Sequence, residues 1–395
     1  MPTSGAVVSD ALQGTVADAA GIVRRMGRQS DRILTTRALN RALLARQLLL
    51  ERSRLSLVAA LEQVGGLQTQ YAPSAYVALW SRLHGFRRDD LTRALVDRDA
   101  VQATLLRSTI HTVSRADFPL FAAGTRRVRQ EHWLRAAGAG LVDGDMRAVA
   151  DRVRALLADG PLKARELAER LVADGVPRPA WDGVGAWVDL VRVPPSGTWE
   201  RRRADLFGLA DDWLGEPNKL TEAEGLEHLV RRYLGAFGPA GVKDIASWAG
   251  APPATIQPVV ERLDLVRYRD ERGGVLFDLA DRPQPDPDLP APVRFLPTWD
   301  ATLLVHARRT LILPEEYRPR IFNTKIPQSL PTFLVDGAVA GTWRFDAADV
   351  RIASFGPLAP AIRREIDEEA QRLAAFHADP TPPAERPGNA RARTS

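Results

Sequence analysis

An internal repeat constrains this chain more than any other feature. The segment GPLKARELA at 160–168 aligns with GPAGVKDIA at 238–246 under the pattern G-P-x-x-x-[RK]-[DE]-[LI]-A, offset by 78 residues. Each copy follows a helical pattern (146–157; 222–234), begins a second helix, and leads through a turn into a third (180–191; 254–263). Each then runs into a strand-like segment, at 198–209 and 265–279. Three helices and a two-stranded wing describe a winged helix-turn-helix module, so the repeat calls for a tandem array rather than one large core. Residues 34–113 read as a first, more divergent copy.

In that first copy Leu39, Leu43, Leu44 and Leu48 recur at helical spacing behind the cap candidate Thr36. A second helix opens at Ser56 and stops at Gly65-Gly66, and helical patterns follow at 71–84 and 89–97. Over 101–113 the period changes to two, which would place Leu105, Arg107, Thr109, His111 and Val113 on one strand face. Ser114 to Asp117 resembles a capping box opening an arginine-rich helix that reaches Trp133. A proline- and aspartate-rich linker begins at 282. Strand-like segments follow at 293–298, 302–306, 310–313, 332–345 and 350–355, with a type I′ hairpin turn at Asp336-Gly337 and a charged helix at 360–377.

The expected organisation is an extension at 1–30, modules at 31–135, 136–215 and 216–281, a linker at 282–292, a β-rich domain with a terminal helix at 293–377, and a disordered tail at 378–395. The fold class is α+β, predominantly helical. The N-terminal stretch lacks the apolar core of a secretory signal, and no apolar run is long enough to span a bilayer, so a cytoplasmic protein is expected. With no cysteine, disulfides, iron–sulfur clusters and cysteine nucleophiles are excluded.

Net charge is +5, and 50 of the 54 basic residues are arginine, whose planar fork suits phosphate. An Ala-, Pro- and Arg-rich composition also follows from a GC-rich genome, so the charge favours nucleic acid without requiring it. The clusters Arg126, Arg127, Arg129 and Arg201, Arg202, Arg203 are either phosphate contacts or solvated charged faces. There is no P-loop, dinucleotide fingerprint, HExxH or nucleophile elbow, and the six histidines lack metal-ligand spacing. Neither cofactor nor metal is expected. His84 and His377 read as surface residues, and the tryptophans, such as Trp80, Trp187, Trp213 and Trp248, as core.

What stands apart is Gly65-Gly66-Leu67-Gln68-Thr69-Gln70. Two glutamines two residues apart share a face if the backbone is extended and diverge if it is helical. The neighbouring glycines allow the extended geometry, and Gln68 and Gln70 are then a convergent pair of amides; the alternative is ordinary capping or surface residues.

This segment, together with LRSTIHTV at 106–113, PPSGTWERRR at 194–203, the two GP-initiated modules, WDATLLVH at 299–306 and PTFLVDG at 331–337, resembles the HTH_42 winged-helix DNA glycosylases, the family of AlkZ and YcaQ, over roughly 34–377. The resemblance implies three tandem winged-helix modules scaffolded by a C-terminal β-rich domain in a C-shaped, DNA-embracing monomer. It also implies catalysis by a Gln-x-Gln motif, here Gln68 and Gln70, with Thr69 at a position that is usually aliphatic. By the same resemblance the substrate is double-stranded DNA bearing N7-alkylguanine or interstrand crosslinks, processed for repair or for self-resistance to a DNA-alkylating natural product. Arg107 and His111 are candidate active-site support or a buried structural pair, and Asp300 and His306 match family positions without an assigned role. No lysine occurs in 1–162 to form a Schiff base, which favours hydrolysis without strand cleavage. The competing function is a winged-helix DNA-binding or regulatory protein without catalysis.

Overall fold

A computed structural model describes residues 29–137, 140, 142–215, 217–304, 309–323 and 328–379. Residues 1–28 of the expected extension at 1–30 and nearly all of the tail from 378 lie outside these residues. Strand β1 (Gln29–Leu34), which the periodicity did not signal, leads into α1 (Thr36–Arg46). The cap of α1 is Thr35, not Thr36: its hydroxyl accepts from the Ala38 amide at 3.1 Å. Ser56 caps α2 (Leu57–Val64) as expected, and Gly65 ends it in the left-handed conformation at φ +77°.

From α2 onward one order of elements recurs. It runs through β2 (Leu67–Gln68), α3 (Pro73–Arg82), α4 (Arg88–Val96), β3 (Ala100–Thr104) and β4 (Ile110–Ser114). Helix α5 (Asp117–Ala137), whose first turn is capped by Ser114, connects to the second unit. That unit holds α6 (Asp143–Leu157), β5 (Leu162–Lys163), α7 (Ala164–Ala173), α8 (Arg178–Gly183), β6 (Leu190–Arg192) and β7 (Leu206–Leu209), followed by α9 (Ala210–Leu214). The third holds α10 (Glu222–Phe237), α11 (Val242–Ala249), α12 (Pro253–Arg262), β8 (Val266–Asp270) and β9 (Val275–Asp278). In each unit the short strand after the first helix sits beside the last strand: β2-β4-β3, β5-β7-β6, and in the third a bridge from Ala240 to Phe277 of β9.

Three expectations need correction. The first copy begins at Leu57, because α1 precedes the repeating order. The period-two stretch at 101–113 is a hairpin rather than one strand: a 3₁₀ turn at Leu106–Ser108 reverses the chain, with Arg107 and Ser108 at φ +53° and +57°. In the second unit the helix at 180–191 stops at Gly183, β6 lies at 190–192, and residues 193–205 form a long loop before β7.

Pairing of β3 with β6 (Gln102↔Arg192, Ala103↔Val191) fuses the first two units into one six-stranded sheet, β2-β4-β3-β6-β7-β5. Parallel β1 joins β8 and β9 in a second sheet. Helices α5 and α10 cross where Gly124 meets Gly225; a Cβ on Gly124 would lie 2.7 Å from the Gly225 carbonyl carbon, so both positions require glycine. Around this crossing Phe121, Leu229, Tyr233 and Trp248 form the largest core.

The C-terminal unit contains β10 (Arg294–Leu296), α13 (Ala301–Leu304), α14 (Arg318–Ile321), β11 (Phe322–Asn323), β12 (Gln328–Ser329), β13 (Thr332–Val335), β14 (Ala338–Asp346), β15 (Asp349–Ser354) and α15 (Pro360–Ala378). Its main sheet, β10-β13-β14-β15, is antiparallel, and the hairpin turns at Asp336 (φ +44°) and Gly337 (φ +80°) as expected. The expected strands near 302 and 310 are helical instead: Asp300 Oδ1 accepts from the Thr302 amide and starts α13, and 309–311 is a 3₁₀ turn. Buried arginines brace this unit and the third against α1 and α3, through Arg82–Asp300 at 2.9 Å, Arg46–Asp278 at 2.7 Å, and Arg41–Asp336. Part of the arginine excess is therefore internal bracing. Among the described residues no helix is long and apolar enough to cross a membrane.

Candidate active site

Gly65 and Gly66, both at φ +77°, swing the chain out of α2 and press it against β4; a Cβ at Gly66 would meet Val113 Cγ1 at 2.8 Å. The strand that follows is registered Leu67↔Thr112 and Gln68↔His111, and the Thr69 amide donates to the Ile110 carbonyl at 2.7 Å. The backbone is thus extended to Thr69, and the chain bends at Gln70. Thr69 turns inward, its hydroxyl 3.3 Å from that of Thr112, while the side chains of Gln68 and Gln70 reach Arg107 and the Ile110 amide.

Both amides are oriented by donors. Arg107 Nη2 donates to Gln68 Oε1 at 2.8 Å, and the Ile110 amide donates to Gln70 Oε1 at 2.8 Å. A guanidinium and a peptide N–H only donate, so the oxygen ends of both glutamines are fixed chemically. Each oxygen keeps a second lone pair, and neither side-chain NH2 has a protein partner among the described residues. Gln68 is buried and Gln70 exposed, so the pair spans the floor and lip of the site.

Arg107 is held from the other side by the third unit, donating through Nη1 to the Trp248 carbonyl. Gly250, at φ +73°, lets α11 end against the Arg107 backbone, where a Cβ would lie 3.0 Å from its amide nitrogen. Burial pulls the guanidinium down to about 10, so it remains a cation at neutral pH, and no carboxylate pairs with it among the described residues. His111 is buried opposite Gln68, with Nδ1 3.0 Å from the Thr109 carbonyl, which requires the proton on Nδ1. Burial first, and the Arg107 charge second, pull the imidazole down to about 3, so it is neutral. Arg107 and His111 therefore do not project from one strand face as expected, since one lies on the turn and the other within β4. They still flank the same glutamine.

The other candidates fall elsewhere. Asp300 is buried and engaged by Arg82 and by the Thr302 hydroxyl at 2.8 Å; none of its bonds reaches the glutamines, so active-site support is corrected to bracing of α3. His306 lies outside the described residues. The Arg126 cluster is split: Arg126 is half-buried and pairs with Asp189 at 2.7 Å, Arg127 is exposed and pairs with Glu222 and Glu131 at 2.7 Å, and Arg129 is buried, donating to the Gly185 carbonyl at 2.6 Å. Arg201, Arg202 and Arg203 are exposed on the 193–205 loop, where Arg203 pairs with Asp205 at 3.1 Å.

Arg202 reveals a neighbour that sequence reasoning missed. Its Nη1 donates to the Tyr71 hydroxyl at 2.8 Å, and its guanidinium lies 5.8 Å from the Tyr71 ring and 5.9 Å from that of Trp199. Tyr71 directly follows Gln70, so the long loop of the second unit touches the motif. An aromatic residue beside a polar pair was the available signal. His377 is half-buried rather than on the surface, stacked 4.1 Å from Phe345. Trp187 and Trp248 are core, as expected.

The chain matches the family profile described as DNA glycosylase AlkZ-like over residues 61–376. It is 23% identical over 357 residues to the interstrand DNA cross-link repair glycosylase of Streptomyces sahachiroi, covering 83% of this chain and 93% of that one. The solved structure of Streptomyces sahachiroi DNA glycosylase AlkZ shares the fold, with a TM-score of 0.74 over 88% of this chain and 97% of that one, at 18% identity. The matched span takes in the glutamine pair, the turn that holds it and nearly all of the three repeating units, and the chain belongs to the AlkZ-like DNA glycosylase family.

Proposed function

We propose that this chain is a monofunctional DNA glycosylase that hydrolyses the N-glycosidic bond of N7-alkylguanine and unhooks interstrand crosslinks, in repair or in self-resistance to a DNA-alkylating natural product. The observation that carries the reading is the pair of glutamine carbonyls fixed by Arg107 and the Ile110 amide. Their remaining lone pairs accept the two protons of one water and aim its oxygen at C1′. Glutamine is no base, so such a site suffices only for an activated substrate. N7-alkylguanine is cationic: as the C1′–N9 bond breaks, the electron pair neutralises the base, and no proton need reach the leaving group. The water oxygen then bonds to C1′ and loses its proton to solvent.

Arg107 has a part in this reading. A buried cation beside an oxocarbenium-like sugar opposes the charge that develops there, unless a backbone phosphate neutralises it. We assign Arg107 to the lesion-strand phosphate and, through Gln68, to the position of the water. The exposed Arg201 and Arg202 contact the phosphates beyond. The three units are taken as winged-helix modules and, with the C-terminal unit, as a C-shaped cytoplasmic monomer around duplex DNA. A crosslinked base cannot leave the duplex freely, so the lesion is reached without complete base flipping.

The test is release of base from duplexes carrying N7-methylguanine or a nitrogen-mustard crosslink. Turnover by the wild type, lost in Gln68→Ala/Gln70→Ala with duplex binding retained, is expected. No release from either substrate by a protein that still binds duplex would leave a DNA-binding protein without this activity.

A further inference from the structure

A partly open cavity of about 270 Å³ lies at the seam where β3 meets β6, apart from the glutamine pair. Arg129 from α5 and Arg192 at the end of β6 line it, and each is only 8% exposed. Their bonds go to neutral acceptors alone. Arg129 Nη2 donates to the Gly185 carbonyl at 2.6 Å, and Arg192 Nη2 to the Thr104 hydroxyl at 2.8 Å, with the Arg192 guanidinium 4.9 Å over the Phe207 ring. Arg129 Nε and Arg192 Nε and Nη1 are buried without partners. Neither arginine has a carboxylate at ion-pair distance among the described residues. Of the acids lining the cavity, Asp189 is taken by Arg126 at 2.7 Å and Asp182 is exposed.

Two buried guanidiniums line one space whose nearest carboxylate, Asp189, acts on Arg129 but is bonded to Arg126, so their charge is only partly compensated. Burial pulls both down to about 10, and for Arg192 the neighbouring charge of Arg129 adds to it, yet both stay protonated at neutral pH. A dianionic ligand with oxygens spaced for two planar forks would satisfy donors that the fold leaves idle. We propose that this cavity binds a phosphate group between Arg129 and Arg192, presented either by free phosphate or by the DNA backbone. Ser108, on the cavity wall, follows Arg107, whose Nη2 holds Gln68, so an occupied cavity stiffens the turn that orients the motif. The site stands on its own geometry and does not depend on the glycosylase reading.

The experiment uses the full chain, its Arg192→Met and Arg129→Met variants, inorganic phosphate, and an unmodified duplex. If free phosphate is the ligand, phosphate at constant ionic strength raises the wild-type Tm with concentration, and neither variant responds. If the DNA backbone is the source, phosphate alone does nothing, while each variant binds duplex about 10-fold more weakly with a salt slope smaller by about one. A wild type indifferent to phosphate, with duplex affinity and salt slope unchanged in both variants, overturns the proposal. Arg192→Lys keeps the charge and removes the fork; it serves in place of Arg192→Met should that variant fail to fold, and is expected to lose most of the same response.

Discussion

The first and second units place the same strand in the same position and use it differently. In the first, β2 pairs with β4 as Leu67↔Thr112 and Gln68↔His111; in the second, β5 pairs with β7 as Leu162↔Phe207 and Lys163↔Leu206. Gln68 therefore corresponds to Lys163, and His111 to Leu206. Lys163 is exposed and serves as the N-cap residue of α7, which starts at once. Residues 69–72 stand between β2 and α3, and Gln70 is one of them. Lengthening one strand-to-helix connection adds a second amide to a scaffold element that elsewhere only starts a helix. The connections between the last two strands differ as well. The five-residue turn at 105–109 folds Arg107 back onto Gln68, whereas the 193–205 loop reaches across to Tyr71.

The largest expected effect tests that correspondence. Gln68→Ala/Gln70→Ala should lower single-turnover base release by at least about 100-fold, because removing preorganised polar groups at a reacting centre costs that order. Lys163→Ala should leave release within about twofold. A second unit as sensitive as the first would show that the repeats share the chemistry.

Next in size is the brace. Arg107→Met removes the donor to Gln68 Oε1 and the tie to the Trp248 carbonyl. We expect base release to fall roughly 10- to 100-fold. Thermal stability should hold or rise, since a buried guanidinium without a carboxylate is replaced by an apolar chain. Unfolding and release measured on the same sample separate the two: a variant that loses stability in parallel with activity would make Arg107 a structural residue only.

These contrasts also mark how far the sequence alone could reach. The GP repeat predicted the second and third units because their helices carry strong 3.6-residue periods and glycine starts. Two glycines made extended backbone permissible just before the glutamine pair, but the residues alone left it open between convergent amides and surface residues, and only the family resemblance singled it out. Arg107 and His111 were associated with the site for a mistaken reason: period two cannot distinguish a strand from a hairpin whose turn holds two residues at positive φ. Asp300 was misplaced, and the burial of Arg129 went unseen, because both depend on partners such as Arg82 and the Gly185 carbonyl, far away in sequence. Tyr71 is paired with a loop more than a hundred residues on, which no local pattern reports.

A smaller effect separates the glycines that begin each short strand. Gly66 sits at φ +77° with Val113 Cγ1 2.8 Å from where a Cβ would be, whereas Gly160 sits at φ +126° with nothing within 4 Å. Alanine at either position meets backbone strain of about 1–2 kcal/mol. At Gly66 it also displaces β4, for a total of about 2–3 kcal/mol. Urea unfolding of Gly66→Ala and Gly160→Ala should rank them in that order, with base release reduced only in the first. Equal losses would mean that β4 yields easily and the motif is less tightly seated.

The smallest effect concerns His111 against its counterpart Leu206. The imidazole is pulled down to about 3 in the fold, mainly by burial, while in the unfolded chain it titrates near its ordinary 6.5. Between those values the unfolded state binds a proton that the native state refuses. The neutral imidazole's contribution is therefore complete above pH 6.5 and is lost progressively as pH falls toward 3. From pH 7 to 5.5 this one residue should lower stability by about 1 kcal/mol. His111→Leu, which makes the first unit like the second, should remove that part of the pH dependence. His377, pulled down to about 4, titrates alike in both proteins and cancels from the difference. Urea midpoints of wild type and variant at the two pH values give the answer directly. Parallel pH profiles would mean that His111 takes up its proton in the folded state as readily as in water, and the pocket behind Gln68 would then be wet rather than closed.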